Sequence, residues 1–217
     1  MDASAALTPV ISGTGGLDSM NQVSEPQFAR FAARACLPAD ASLRQVVNAV
    51  QAIPYGRPGS RTAEGVVSEW QGTCSTKHAL LTQLLRERWP ELRPRLVHRV
   101  YRVSRGSVIE RHGADAAAAV PEGGLTDVHR YLVITLAGRE VTIDITFPAG
   151  QPWDFPAGQP WDGHRSMCLA CGDGRDFPAG DDPDADKAAL EASYCDPLIR
   201  EPFIAALTLA AKPTGPA

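Results

Sequence analysis

The chain has 217 residues, 44% of them apolar and 21% charged, with a net charge of −4. That composition supports one good core and argues against a nucleic-acid or anionic-membrane partner. No secretory leader and no membrane span is expected, and five cysteines at low density point to free thiols in a reducing, cytoplasmic compartment.

Residues 1–23, rich in Ala, Ser, Gly and Thr, read as a flexible N-terminal segment. A single domain is expected over 24–211, with a tail at 212–217. Pro26 opens a helix over 28–35 that puts Phe28, Phe31 and Ala32 on one face. Asp40 or Ser42 caps a second helix carrying Leu43, Val46, Val47 and Val50, which stops before Pro54. Residues 63–69 form a short helix or turn.

A helix over 74–88 follows, with Thr73 as its cap and Leu80, Leu81, Leu84 and Leu85 as a one-sided stripe. Gly72 lets the backbone approach closely. Residues 96–104 alternate as a strand; Arg99 and Arg102 on alternate faces suggest a sheet edge or a wet face. The stretch 105–127 is poorly patterned, with a short helix over 114–120 and a turn at 121–124.

The clearest strands are 131–136 and 140–147, joined at Ala137-Gly138 as a hairpin. A two-residue loop pairs Leu136 with Arg139, puts Tyr131 opposite Asp144 and His129 opposite Thr146. His129 and Asp144 then lie diagonally on one face, about 7–8 Å apart at the backbone. A loop-like segment runs from 148 to 183, Pro/Gly-rich over 150–183. The acidic run at 181–186 caps a helix over 185–192, and a last helix over 198–211 offers Phe203, Ile204, Leu207 and Leu209 to the core. Helices, then strands, then helices make a single α+β domain.

Cys74 falls in the first turn of its helix, where the positive end of the helix dipole favours the thiolate. With His129 and Asp144 it makes a chemically complete set. A thiolate attacks an acyl group, an imidazole carries the proton, and a carboxylate fixes the ring's tautomer.

Gly72-Thr73-Cys74 at a helix start, His129 on one strand and Asp144 fifteen residues on in the next resemble the transglutaminase-like branch of the papain-like superfamily. The resemblance spans residues 27–150 and includes Tyr55 in a loop before the nucleophile. It implies a helical N-terminal half packed on a small antiparallel sheet. It also implies a cysteine peptidase, amidase or acyltransferase that needs no cofactor and acts on a peptide, protein or small amide. The superfamily also holds inactive scaffolding domains. The chain departs from the family pattern at Arg130-Tyr131 after the histidine and at Ile145-Thr146 after the aspartate.

Gln71 and Trp70 are candidate oxyanion donors beside the Cys74 N–H. Tyr131, Trp153 and Trp161 are candidate substrate-binding aromatics; the two tryptophans would wall the cleft or pin a Pro/Gly-rich loop. His78, one turn after Cys74, is either an alternative base or a packed helix histidine. Lys77 reads as solvated surface. His164, Cys168, Cys171 and Cys195 are a weak zinc candidate, against the alternative of a loop with buried thiols. The leading expectation is acyl transfer or hydrolysis through a thioester at Cys74. The alternatives are an inactive transglutaminase-like binding module and, less favoured, a zinc-binding module.

Overall fold

A computed structural model describes residues 26–149 and 158–211; the expected N-terminal segment, Trp153 and the C-terminal tail lie outside them. Among the described residues four α-helices precede the first strand: α1 (Gln27–Arg34), α2 (Leu43–Ala52), α3 (Ala63–Glu69) and α4 (Cys74–Arg88). Ser42, not Asp40, caps α2. Its hydroxyl accepts from the Gln45 N–H while the Gln45 side chain accepts from the Ser42 N–H, a reciprocal pair that satisfies two orphan donors. Thr62 caps α3 through the Gly65 N–H. The Leu80, Leu81, Leu84, Leu85 stripe of α4 is fully buried.

Four strands form one antiparallel sheet in the order β3-β2-β1-β4: β1 (Arg95–Val103), β2 (Leu125–Leu136), β3 (Arg139–Ile143) and β4 (Gly174–Pro178). The hairpin register is the expected one from Leu136 opposite Arg139 to Leu132 opposite Ile143, but the ladder ends there, so the expected pairs of Tyr131 with Asp144 and of His129 with Thr146 do not form. Ala137 and Gly138 both have positive φ, 51° and 75°, which gives the turn the backbone twist that two-residue hairpins require.

Several boundaries differ from expectation. β1 lies inside the sheet, between β2 and β4, rather than at an edge. Its Arg99 is neutralised by Asp176 of β4 in a two-pronged pair at 2.7 Å. β4 interrupts the stretch expected to be loop, and its short, largely exposed sequence carries no alternation to announce it. The poorly patterned region is a helix, α5 (Arg105–Ala118). Ser104 caps it through the Ser107 N–H, and Gly113 (φ 82°, ψ 173°) kinks it, which breaks its periodicity.

β3 stops at Ile143 instead of running to 147. Asp144 Oδ1 accepts from the Thr146 N–H and hydroxyl, at 3.1 and 2.6 Å, and turns the backbone out of the ladder. Helices α6 (Pro183–Tyr194) and α7 (Pro197–Ala210) close the chain, capped by Asp182 and Asp196. Leu209 is 66% exposed and contributes nothing to the core.

The buried side chains form two main clusters. One joins α1–α4 to Leu132 and Ile134 of β2 and to Val141 and Ile143 of β3. The other joins α5 and α7 to Val103, Leu125, Tyr55 and Phe147. Cys74 and His129 lie on a cavity beside the second cluster. No described helix is long and apolar enough to cross a membrane.

Candidate active site

Three pieces of chain meet at the start of α4. Gly72 is the first requirement. A Cβ there would come within 2.7 Å of Lys77 Cγ, so only glycine lets the loop pass over the helix start. Its N–H donates to Pro54 O and its carbonyl accepts from the Gly56 N–H, which brings Tyr55 alongside. Cys74 is then the first helical residue, where backbone N–H groups lack intrahelical partners. The Thr73 N–H donates to the Thr76 hydroxyl at 3.0 Å.

The hairpin supplies the second piece. His129 Nε2 donates to Asp144 Oδ2 at 2.8 Å, both residues buried. Asp144 is held in turn by the Ala170 N–H on the same oxygen and by Thr146 on the other. The carboxylate therefore has its lone pairs occupied on every side, and its orientation is fixed. With Nε2 engaged, the His129 Nδ1 is the ring atom left for the Cys74 thiol.

Helix α6 supplies the third piece. Lys187 Nζ is 3.5 Å from Cys74 Sγ and 2.6 Å from the Ser75 hydroxyl. Its side chain is 7% exposed and also approaches Glu191 at 3.6 Å.

These contacts set the ionisation. Burial alone would push the Cys74 thiol up, but the Lys187 charge and the interaction with His129 outweigh it and bring the thiol down to about 6. Burial disfavours His129 imidazolium, yet Asp144 more than compensates and holds the ring well above its usual range. Burial likewise opposes Asp144 ionisation, and His129 overrides it, leaving the carboxyl well below the usual carboxylate range. Near neutral pH the electrostatics favour a thiolate–imidazolium pair.

His78 is not a second base. Its Nδ1 donates to Cys74 O at 2.7 Å, and its Nε2 accepts from the Ile145 N–H at 3.1 Å. That bonding pattern needs the neutral ring, and burial lowers it to about 4. His78 thus ties the first carbonyl of α4 to the backbone just after Asp144.

The cavity beside Cys74 has a volume of about 380 Å³. Tyr55, Tyr101, Phe147 and Phe203 give it apolar walls, with Asp127, Lys187, Glu191 and Arg200 on its polar side. Arg200 pairs with Asp127 at 2.6 Å and with Glu191 at 2.9 Å. Burial opposes Asp127 ionisation, but Arg200 and Lys187 hold it below the usual range.

The remaining candidates lie elsewhere. The Gln71 amide faces outward, donating to Arg57 O and to Glu69, and does not line the cavity. Trp70 ends α3 in the left-handed region, stacked on Phe31 with its centroid 6.2 Å away, and it also lies off the cavity. Neither supplies an oxyanion donor. Tyr131 packs with Val97 and Val133 on a separate patch, beneath the Arg99 guanidinium. Trp161 is fully buried in the main core, its indole N–H donating to Arg165 O. Neither contacts the cavity, and Trp153 lies outside the described residues.

His164 is exposed and pairs with Asp162, while Cys168 is exposed and Cys171 buried. Among the described residues no group of three or more such side chains, Cys195 included, converges on a metal position. Lys77 is buried rather than solvated. Its ammonium donates to the carbonyls of Gln51, Ile53 and Thr146 at 2.9, 2.9 and 3.1 Å, locking α4 to the preceding loop and to the strand that carries Asp144.

Lys187 is the site residue that sequence reasoning missed. Its local signal is the pair Lys187 and Glu191, four apart on an otherwise ordinary helix. Nothing in that spacing points to residue 74. Comparison of the chain with protein-family models, with curated proteins and with solved structures found no match.

Proposed function

We propose that this chain is a cysteine-dependent acyl-transfer or hydrolytic enzyme of transglutaminase-like, papain-like fold, acting on a peptide or carboxamide with Cys74, His129 and Asp144 as its triad. One observation carries the reading. A thiol at a helix start lies on the same cavity as a histidine bonded at 2.8 Å to a buried aspartate. Lys187 beside the thiol, together with His129, lowers it to about 6, and Asp144 raises the imidazole. Four helices before a small antiparallel sheet suit the fold. All five cysteines are free, which suits a reducing, cytoplasmic setting.

In this reading the Cys74 thiolate adds to the substrate carbonyl and forms the C–S bond. The oxyanion is met by the free N–H at the start of α4 and by the Lys187 ammonium. Collapse breaks the C–N bond, and His129 imidazolium gives its proton to the departing amine. Neutral His129 then takes a proton from water or an amine as it attacks the thioester, and collapse breaks the C–S bond and releases the Cys74 thiolate. Asp144 holds the ring throughout, and the thiolate–imidazolium pair is restored.

The test is the pH dependence of Cys74 alkylation by iodoacetamide in the native chain and in His129→Ala. The expected native profile reaches its plateau well below the titration of a free thiol, near 8.5, and the variant loses this. Turnover of peptide anilides, with and without an added primary amine, then separates hydrolysis from transfer. An ordinary thiol profile that His129→Ala leaves unchanged would sink the enzyme reading and leave a binding module.

A further inference from the structure

Helix α6 docks without an apolar stripe. Of its twelve residues the one buried side chain is Lys187. A surface helix is ordinarily held by an apolar face, so polar contacts fix where α6 lies and where its lysine points.

Arg130 makes the contact at the first turn. It follows His129 on β2, so its side chain leaves from the opposite face of the sheet, and it is 1% exposed. Its Nη1 donates to Ser75 O at 3.3 Å and pairs with Asp184 Oδ1 at 2.7 Å, while Nη2 donates to Pro183 O. These acceptors frame the thiol. Ser75 directly follows Cys74, and its hydroxyl accepts from Lys187 Nζ at 2.6 Å. Pro183 stands one turn before Lys187, and its carbonyl is the helical acceptor for the Lys187 N–H. The bonds therefore close a ring that runs from Arg130 through Ser75, Lys187 and Pro183 back to Arg130. One turn past Lys187, Glu191 is held at 2.9 Å by Arg200, which also grips Asp127 of β2.

Besides Lys187, the charged groups acting on the thiol are His129 and Asp127 of β2 and Arg200 of α7. Tyr55, Tyr101 and Cys171 also act on it, but burial raises all three and keeps them neutral where the thiol titrates. Around Arg130 stand His98 of β1 and Asp184, Asp186 and Lys187 of α6. Burial, then the Arg130 charge, pushes His98 down to about 4, so it too is neutral in that range.

We infer that Arg130 is a positioning residue that fixes the first turns of α4 and α6 against each other and so holds the Lys187 ammonium against the Cys74 thiol. That this placement serves acyl transfer rests on the reading above. The placement itself rests on the bonds of one buried guanidinium.

The experiment takes two readouts from the full chain: the midpoint of Cys74 alkylation by iodoacetamide, and amide hydrogen exchange across residues 183–194. Arg130→Gln raises the midpoint by about one pKa unit, toward that of Lys187→Met. It also speeds α6 exchange roughly tenfold or more, as loss of a charge-assisted bond does. In a Lys187→Met background Arg130→Gln moves the midpoint no further, because the charge it positions is gone. Arg130→Lys keeps the charge without the fork and recovers part of both effects. Asp184→Asn, at a side chain 74% exposed, speeds α6 exchange to a smaller degree and decides the matter if Arg130→Gln does not fold. A native midpoint in folded Arg130→Gln, an equal further rise on top of Lys187→Met, or native α6 exchange in Asp184→Asn overturns the inference. The exchange readout needs no reactive thiol. Loosened α6 beside an ordinary thiol profile that His129→Ala leaves unchanged would sink the acyl-transfer reading and leave the docking role. A low native plateau that Arg130→Gln does not move would sink the positioning role alone.

Discussion

Lys187 Nζ stands 3.5 Å from Cys74 Sγ, across 113 residues of chain. Helix α6 thereby delivers a buried cation to the start of α4, where the thiol already feels the helix dipole. The docking of a late helix thus sets the reactivity of a residue in the first half of the chain.

Replacing that cation isolates its effect. Lys187→Met is expected to raise the Cys74 thiol by about one pKa unit or more, as loss of an adjacent opposite charge does. Lys187→Arg keeps the charge and restores most of the shift. The alkylation midpoint reads both. A midpoint that stays put in Lys187→Met would show that His129 alone holds the thiolate.

His78 and His129 separate by the same measurement. His78→Leu leaves Cys74 O and the Ile145 N–H unpaired in the core, costing about 2 kcal/mol of stability. The thiol profile keeps its low plateau. His129→Ala removes the plateau and lowers any turnover by roughly a hundredfold to ten-thousandfold. Urea unfolding with the alkylation profile distinguishes the two, and a raised thiol midpoint in His78→Leu would contradict a purely structural role.

The thiol also makes stability depend on pH. It titrates at about 6 in the folded chain against an ordinary 9.0. Between those values the unfolded chain keeps a proton that the folded chain has released, so unfolding free energy rises with pH. This contribution is full above 9.0 and is lost as pH falls through 6. His129 acts in the opposite sense. Its raised value gives a contribution that is full below its ordinary 6.5 and fades as pH climbs through the raised value. The stability difference between native chain and Cys74→Ala is therefore expected to grow from about pH 5 to about pH 9. A difference that is flat across the range would mean that the folded thiol keeps its proton.

Trp161 belongs to the core and not to a substrate wall. Trp161→Ala is expected to cost about 3–5 kcal/mol, while the thiol midpoint stays as it is. Chemical denaturation gives the first quantity. A nearly neutral change in stability, accompanied by altered ligand affinity, would return Trp161 to the site.

The parts legible in the sequence are those governed by local periodicity and turn chemistry. The leucine stripe of α4 and the hairpin at Ala137-Gly138 follow from spacing alone. The hairpin brings the two strands together, and His129 meets Asp144 one residue past the end of the ladder. The Ser42 cap and the Asp144 turn are likewise short-range hydrogen-bond chemistry, though the turn's effect on β3 shows only in the folded chain.

What the tertiary structure alone decided are the contacts made between distant segments. β4 has no alternation of its own; it forms because β1 offers a free edge and Arg99 offers Asp176 a charge partner. Lys77 reads as surface on its helix, yet three carbonyls from two other segments draw it inside. Gln71 sits three residues from Cys74 in sequence, but the turn at Trp70 sends its amide outward. Lys187 and the cavity beside Cys74 come from the packing of α5, α6 and α7 around the hairpin. A sequence displays which groups can ionise and which faces can bury. Which charge meets which thiol depends on long-range packing, where desolvation and pairing energies between segments far apart in the chain decide the outcome.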